Sequence, residues 1–356
     1  MSFSNLFHKI ILTTLGKIAL FILALFVFTF ALILLKEGAK ELGPFVRNFL
    51  DVNNAANALG FGWLFAYAVM SGSPVAAITL TLLDADHLNR LEAFAMINGS
   101  RLGASFIVLF IGFIYSLRGK ERKASMSTGL LSLLVTQTTY LPALFLGGWL
   151  IQTGWLDSFQ LTQASAVSSI FDLIFDPIVN PLVEWLPRLV IFAMGFGTLM
   201  VSFTLIDKSL PQVHLEDTGF QGMARILYRP LFTFLLGAAV TTLTMSVSLS
   251  VSILVPLSVR GYIRRENIIP YVMGANITTF IDTLIAAVLL GNPSAFTVVL
   301  LEMLSVSIIS LLVIGFFYPR YERAILDITE GLLTKPSALA IYMFGIVGIP
   351  ILLMLL

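Results

Sequence analysis

Two short strings place hydroxyl chemistry inside otherwise apolar sequence: Met70-Ser71-Gly72-Ser73 and Met245-Ser246-Val247-Ser248. Serine hydroxyls, with the N–H groups freed where a half-helix starts, hold an oxyanion, and carbonyls at a half-helix end hold a cation. The plainer alternative is that serine and glycine let helices pack closely. A second pair of strings follows, Asn98-Gly-Ser-Arg101-Leu-Gly-Ala-Ser105 and Gly274-Ala-Asn276-Ile-Thr278-Thr279. Neutral oxygens on Ser105, Asn276, Thr278 and Thr279 suit a hard cation such as Na+, although threonine back-bonding to the preceding turn is the competing use.

Ionisable side chains inside apolar runs are costly and mark function by default. Arg101, Asp282 and Glu302 qualify, whereas Lys17 lies close enough to an interface to snorkel. Asp282 and Glu302 can each be a cation ligand, a proton carrier or the partner of Arg101, and the residues leave the three roles open. Arginine deep in a span costs at least about 2.5 kcal/mol, so Arg101 needs an anionic partner or a wet cavity. Its fork matches phosphate or carboxylate through two parallel hydrogen bonds. Arg101 is therefore a candidate substrate contact with Ser71, Ser73, Ser246 and Ser248, while Ser105, Asn276, Thr278, Thr279 and Asp282 form the candidate cation set.

The rest of the chain must position these groups. Of 356 residues, 58% are hydrophobic and 12% charged, about half the charge of a soluble domain. A formal net charge of +1 gives no reason to expect nucleic acid as a partner. No cysteine is present, which excludes disulfides, thiolate metal sites and cysteine nucleophiles. His8, His87 and His214 lie near segment ends, so neither a histidine metal site nor a Ser/His/Asp set is expected, and the chain does not read as an enzyme or as needing a cofactor beyond a coupling ion.

About 20 apolar residues make a spanning helix. Seven segments qualify: 11–35, 93–117, 125–152, 188–206, 267–290, 294–317 and 337–356. The first is too long for a signal-peptide core and is taken as a span. Two further stretches, 58–83 and 230–258, are interrupted by Ser71-Gly72-Ser73-Pro74 and by Ser246 to Ser252. Each is expected to be a re-entrant hairpin of two half-helices, because broken backbone at membrane depth survives only against protein or a watery cavity. Segments 38–57, 160–186 and 319–334 are amphipathic enough for the interface.

Internal repetition orders these pieces. At an offset of 175 residues Gly62 meets Gly237, Met70 meets Met245, Ser71 meets Ser246, Ser73 meets Ser248 and Gly99 meets Gly274, with no gap. The expected fold is all-α and polytopic: a first repeat over 1–152, a connector over 153–187, a second repeat over 188–317, and an interfacial helix with a final span over 318–356. Three crossings per repeat is odd, so the second repeat must insert upside down. The basic loop Arg118–Lys123 reads as cytoplasmic, as do Arg260, Arg264, Arg265, Arg320 and Arg323, while the connector with Asp157, Asp172, Asp176 and Glu184 reads as external. This puts the N-terminus in the cytoplasm and the chain in the cell membrane, with a homo-oligomer left open.

The order of residues in 241–279, with Met245-Ser-Val-Ser followed by Pro270-Tyr-Val-Met-Gly-Ala-Asn-Ile-Thr-Thr279, resembles the type II sodium–phosphate cotransporter family. That family repeats a Gln-Ser-Ser-Ser hairpin motif and a Gly-(Ala/Ser)-Asn-Ile-Gly-Thr-(Ser/Thr) helix start. The likeness extends to Lys36-Glu-Gly-Ala-Lys40, to residues 168–182 (SSIFDLIFDPIVNPL) and to residues 316–324 (FFYPRYERA). It implies Na+-coupled symport of inorganic phosphate or a related oxyanion, at a site between the two hairpins. Ser71, Ser73, Ser246, Ser248, Asn276 and Thr279 match the family's motifs. Met70 and Met245 stand where it has glutamine, Gly72 and Val247 where it has the middle serine, and Arg101 where it has asparagine. Two other readings follow from these departures: the same fold with another substrate or H+ coupling through Asp282, or a non-transporting membrane scaffold or receptor.

Overall fold

The computed structural model describes residues 14–42, 44, 46–47, 52–117, 122–154, 164–209, 229–259 and 263–356. The basic residues at 118–121, Asp157, His8, His214 and Arg260 lie outside these, as do the side chains of Asp172 and Ser248.

Among the described residues every regular element is a helix. In chain order they are α1 (Thr14–Ala39), α2 (Ala55–Val69), α3 (Ser73–Asp84), α4 (Arg90–Ala104), α5 (Phe106–Leu117), α6 (Arg122–Thr153), α7 (Ala164–Trp185) and α8 (Arg188–Ser209). There follow α9 (Pro230–Thr244), α10 (Val247–Ser252), α11 (Leu254–Val259), α12 (Arg265–Thr278), α13 (Phe280–Leu290), α14 (Pro293–Leu312), α15 (Tyr318–Thr334) and α16 (Pro336–Met354). Their starts carry the expected chemistry. Asn89 and Glu92 form a reciprocal capping box on α4, Asn54 and Asn292 cap α2 and α14, and prolines open α9, α14 and α16, where a missing N–H costs nothing.

Among the described residues, seven helical runs are long and apolar enough to cross a membrane, one for each span read from the sequence. Three details differ from the sequence reading. The span over 93–117 is interrupted at Ser105, and the span over 267–290 at Thr279, each by one residue that keeps near-helical angles. Residues 294–317 and 319–334 are not separated by a loop; a π turn at Val313–Phe317 joins them into one path. The second broken stretch breaks twice, at Met245–Ser246 and again at Ile253. Pro256 explains the second break, since it cannot donate to the Ser252 carbonyl one turn back.

The helices α2, α3 and α9 have 15, 12 and 15 residues. At 1.5 Å per residue these are about 22, 18 and 22 Å, short of a hydrocarbon core of about 30 Å. α2 ends in a left-handed Met70 (φ 56°), whose following residue Ser71 donates to the Ala66 carbonyl at 3.2 Å. α9 ends in a left-handed Met245 (φ 47°). This helix ending usually falls to glycine, so a methionine here twice, 175 residues apart, marks the same turn built twice.

Packing repeats at the same offset. A Cβ on Gly62 would fall on the Met96 carbonyl and one on Gly99 on the Leu59 carbonyl, which seats α2 against α4 at backbone distance. A Cβ on Gly237 would fall on the Tyr271 carbonyl and one on Gly274 on the Phe234 carbonyl, doing the same for α9 and α12.

The long helix α6, at 32 residues, serves as a ruler of about 48 Å. At its start Lys123 pairs with Glu330, which also takes Arg265 at 3.2 Å. Near its end Leu150 and Ile151 share a cleft with Arg90. Thus α4 begins at one end of α6 and α12 at the other. Asp84, closing α3, binds Lys36 at 3.0 Å and Asn292 at 2.8 Å, while α9 opens beside Arg264 and Glu266.

Candidate functional site

Arg101 stands in the last turn of α4 and is 3% exposed. From there its guanidinium reaches three other elements. One terminal nitrogen donates to Ser73 Oγ, at the start of α3, and to Thr279 Oγ1, at the α12–α13 junction, both at 3.3 Å. The other donates to Thr283 Oγ1 and lies 3.5 Å from Asp282 Oδ1, both in the first turn of α13. The Thr283 hydroxyl donates onward to Asp282 Oδ1 at 2.8 Å. The Phe280 ring covers the guanidinium at 5.0 Å, a favourable cation–π distance.

Opposite charges sit at helix ends that suit them, the cation in a last turn and the anion in a first turn. Yet the ion pair is long: charge-assisted N–H···O bonds settle near 2.7–2.9 Å. Arg101 Nε and Asp282 Oδ2 are both buried without a partner. The cluster holds its charges together but leaves one donor and one acceptor unused.

Beside it lies a void of about 10 Å³, bordered by Arg101, Ser105, Thr136, Tyr140, Val247 and Asn276. That is room for about one water molecule, too little for a tetrahedral oxyanion. α6 forms its far wall. The Tyr140 hydroxyl donates to the Asn276 carbonyl at 2.8 Å, and Thr136 Oγ1 accepts from Asn276 Nδ2 at 3.1 Å.

The residues named from sequence divide accordingly. Ser73, Arg101, Thr279 and Asp282 meet in one cluster, and Ser105 and Asn276 border the adjoining void. Ser105 Oγ donates to its own helix at Leu102. Thr278 turns away, donating to the Ala238 carbonyl of α9 at 2.9 Å, so it bolts two helices of the second half together. Ser71 and Ser246 are half-buried at the two helix breaks that follow Met70 and Met245. Of Arg101's two sequence candidates for a partner, Asp282 is the one within ion-pair distance; Glu302 bonds instead to Asn98 Nδ2 at 3.3 Å.

Thr283, Thr136 and Tyr140 were not singled out from sequence. Thr283 adjoins Asp282 and had a local signal; Thr136 and Tyr140 had none, because their partner lies more than a hundred residues away.

No family model, curated protein or solved structure matches this chain. The functional reading therefore rests on the site itself and on the motifs in the sequence.

Proposed function

We propose that this chain is a secondary transporter of an oxyanion of the phosphate class, built from two inverted repeats with re-entrant hairpins, in which Arg101 ties the first hairpin to the second half. The observation that carries the reading is the reach of Arg101. One buried guanidinium joins the hairpin start at Ser73 to Thr279, Asp282 and Thr283 of the other half, and still has an N–H to offer. Broken helices in corresponding positions of two halves are the arrangement in which transporters build midplane sites. The opposite starting ends of α4 and α12 along α6 support the inversion, and the short α2, α3 and α9 support the hairpins.

Inversion is tested with single cysteines, since the chain has none of its own. In sealed, uniformly oriented vesicles, an impermeant thiol reagent should label Asp86→Cys from one side and Glu266→Cys from the other. Equal labelling of both from the same side rejects inverted repeats. The orientation drawn from the basic segments predicts that the external reagent finds position 86.

Transport is tested by uptake of radiolabelled phosphate into proteoliposomes under a Na+ gradient and, separately, a pH gradient. Uptake driven by either gradient supports the reading. Arg101→Lys should lower phosphate binding at least roughly tenfold, about 1.4 kcal/mol, because lysine lacks the two-pronged donor. No uptake under either gradient, with phosphate binding unchanged in Arg101→Lys, returns the chain to the scaffold or receptor reading.

One observation favours a second reading of the coupling ion. Thr279 and Asp282, from the candidate Na+ set, are turned onto Arg101, a fixed cation that would repel Na+ there. H+ coupling needs no such vacant oxygen cage, and the pH-gradient arm separates the two.

A further inference from the structure

Glu302, midway along α14, is 0% exposed and is used by nothing described so far. Oε2 accepts from Asn98 Nδ2 at 3.3 Å, and the same nitrogen donates to the Tyr140 carbonyl at 3.3 Å. Two acceptors fix that amide's orientation, because a flipped Asn98 would set its own oxygen against both. Two oxygens then remain without partners: Glu302 Oε1 and Asn98 Oδ1.

The charged and titratable groups around the pair are few. From α4 comes Arg101, one helical turn beyond Asn98, within electrostatic reach of Glu302 but in ion-pair contact with Asp282 of α13. From α6 comes Tyr140, whose hydroxyl is engaged by the Asn276 carbonyl. Among the described residues no Lys, Arg or His lies within 4.0 Å of the Glu302 carboxyl. A fully buried ionised carboxylate whose hydrogen-bond donors are the neutral amides of Asn98 alone is the arrangement that a buried group escapes by taking up a proton. The void beside Tyr140 is not bordered by Glu302, so it offers no chamber for a metal ion at this carboxyl.

We propose that Glu302 is a neutral carboxylic acid and that Glu302 with Asn98 forms a proton-binding site one helical turn from Arg101. A single proton repairs both defects. It turns the Glu302 hydroxyl into a donor for Asn98 Oδ1 while Asn98 Nδ2 keeps its bond to the other carboxyl oxygen. No bond other than O–H is made or broken, and the proton comes from water. The assignment does not depend on the transport reading, since a proton can reside here whether or not the chain moves a substrate.

Infrared spectroscopy of the purified full chain at neutral pH tests it without any substrate. The parent-minus-Glu302→Gln difference should contain the carbonyl stretch of a protonated carboxylic acid, moving to lower frequency in D2O. Glutamine mimics the neutral acid in shape and keeps a donor for Asn98 Oδ1, so this variant should fold with a melting temperature like the parent's. A difference containing only carboxylate bands means Glu302 is ionised and overturns the proposal. If Glu302→Gln fails to fold, Asn98→Ala decides: loss of the hydrogen-bond partner should shift the acid band, and an unshifted or absent band overturns the proposal. Absence of phosphate uptake, by contrast, would leave the spectrum unchanged.

Discussion

Asp282→Asn is expected to destabilise the protein by about 3–5 kcal/mol, because it leaves the buried Arg101 charge without its counter-ion. Arg101→Met alone should cost a similar amount, by leaving the buried Asp282 charge without its counter-ion and removing the donor to Ser73, Thr279 and Thr283. The double variant Arg101→Met/Asp282→Leu should recover most of that loss, since an apolar pair of similar volume avoids the desolvation of both ions. Thermal unfolding in detergent, read for all four proteins, gives the coupling energy. If the double variant is as unstable as the sum of the singles, the two charges are not coupled. Phosphate binding provides the second readout: a stable double variant that still binds phosphate like the parent removes Arg101 from the substrate site.

Gly274→Val should be the most damaging single change outside the charged cluster. The added Cβ would occupy the position of the Phe234 carbonyl, with the Ala238 nitrogen only 2.9 Å away, and backbone cannot yield as a side-chain tip can. Overpacking of a tight contact costs about 1–3 kcal/mol and occasionally more. Here α9 must separate from α12, so little correctly sized protein should survive on size-exclusion chromatography. Gly197→Ala is the control. Nothing lies within 4 Å of a Cβ at that position in α8, and alanine should stabilise the helix by up to about 1 kcal/mol. Equal behaviour of the two variants would mean that the glycine contact does not hold α9 to α12.

Sequence disclosed the spans because a spanning segment must be apolar along its whole length, a one-dimensional property. The breaks at Met70 and Met245 were legible for a related reason, as clustered Ser, Gly and Pro inside apolar runs that recur at one offset. The interruptions at Ser105 and Thr279 were not, since each leaves helical angles almost unchanged and has no Pro or Gly as a cause. Site membership was legible for Arg101 and Asp282 because charge in an apolar run is conspicuous. It was obscure for hydroxyls. Thr278 and Thr279 are adjacent and chemically alike, yet the 100° step between helix positions aims one at Ala238 and the other at Arg101. A sequence gives that step but not the direction in which either partner lies.

The repeated glycine seams also decide what can move. Where two backbones approach this closely, as at Gly62 with Met96 and Gly237 with Tyr271, sliding meets hard repulsion, so α2 with α4, and α9 with α12, should each travel as one rigid body. The joint between the halves is of another kind, made of hydrogen bonds from rotatable side chains: Arg101 to Thr279 at 3.3 Å, Tyr140 to the Asn276 carbonyl at 2.8 Å and Asn276 to Thr136 at 3.1 Å. Such a joint gives way before the seams do. The proposed transport cycle should therefore leave the α2–α4 and α9–α12 distances fixed and change the distance from Ser73 to Thr279, with the Arg101 side chain as its latch.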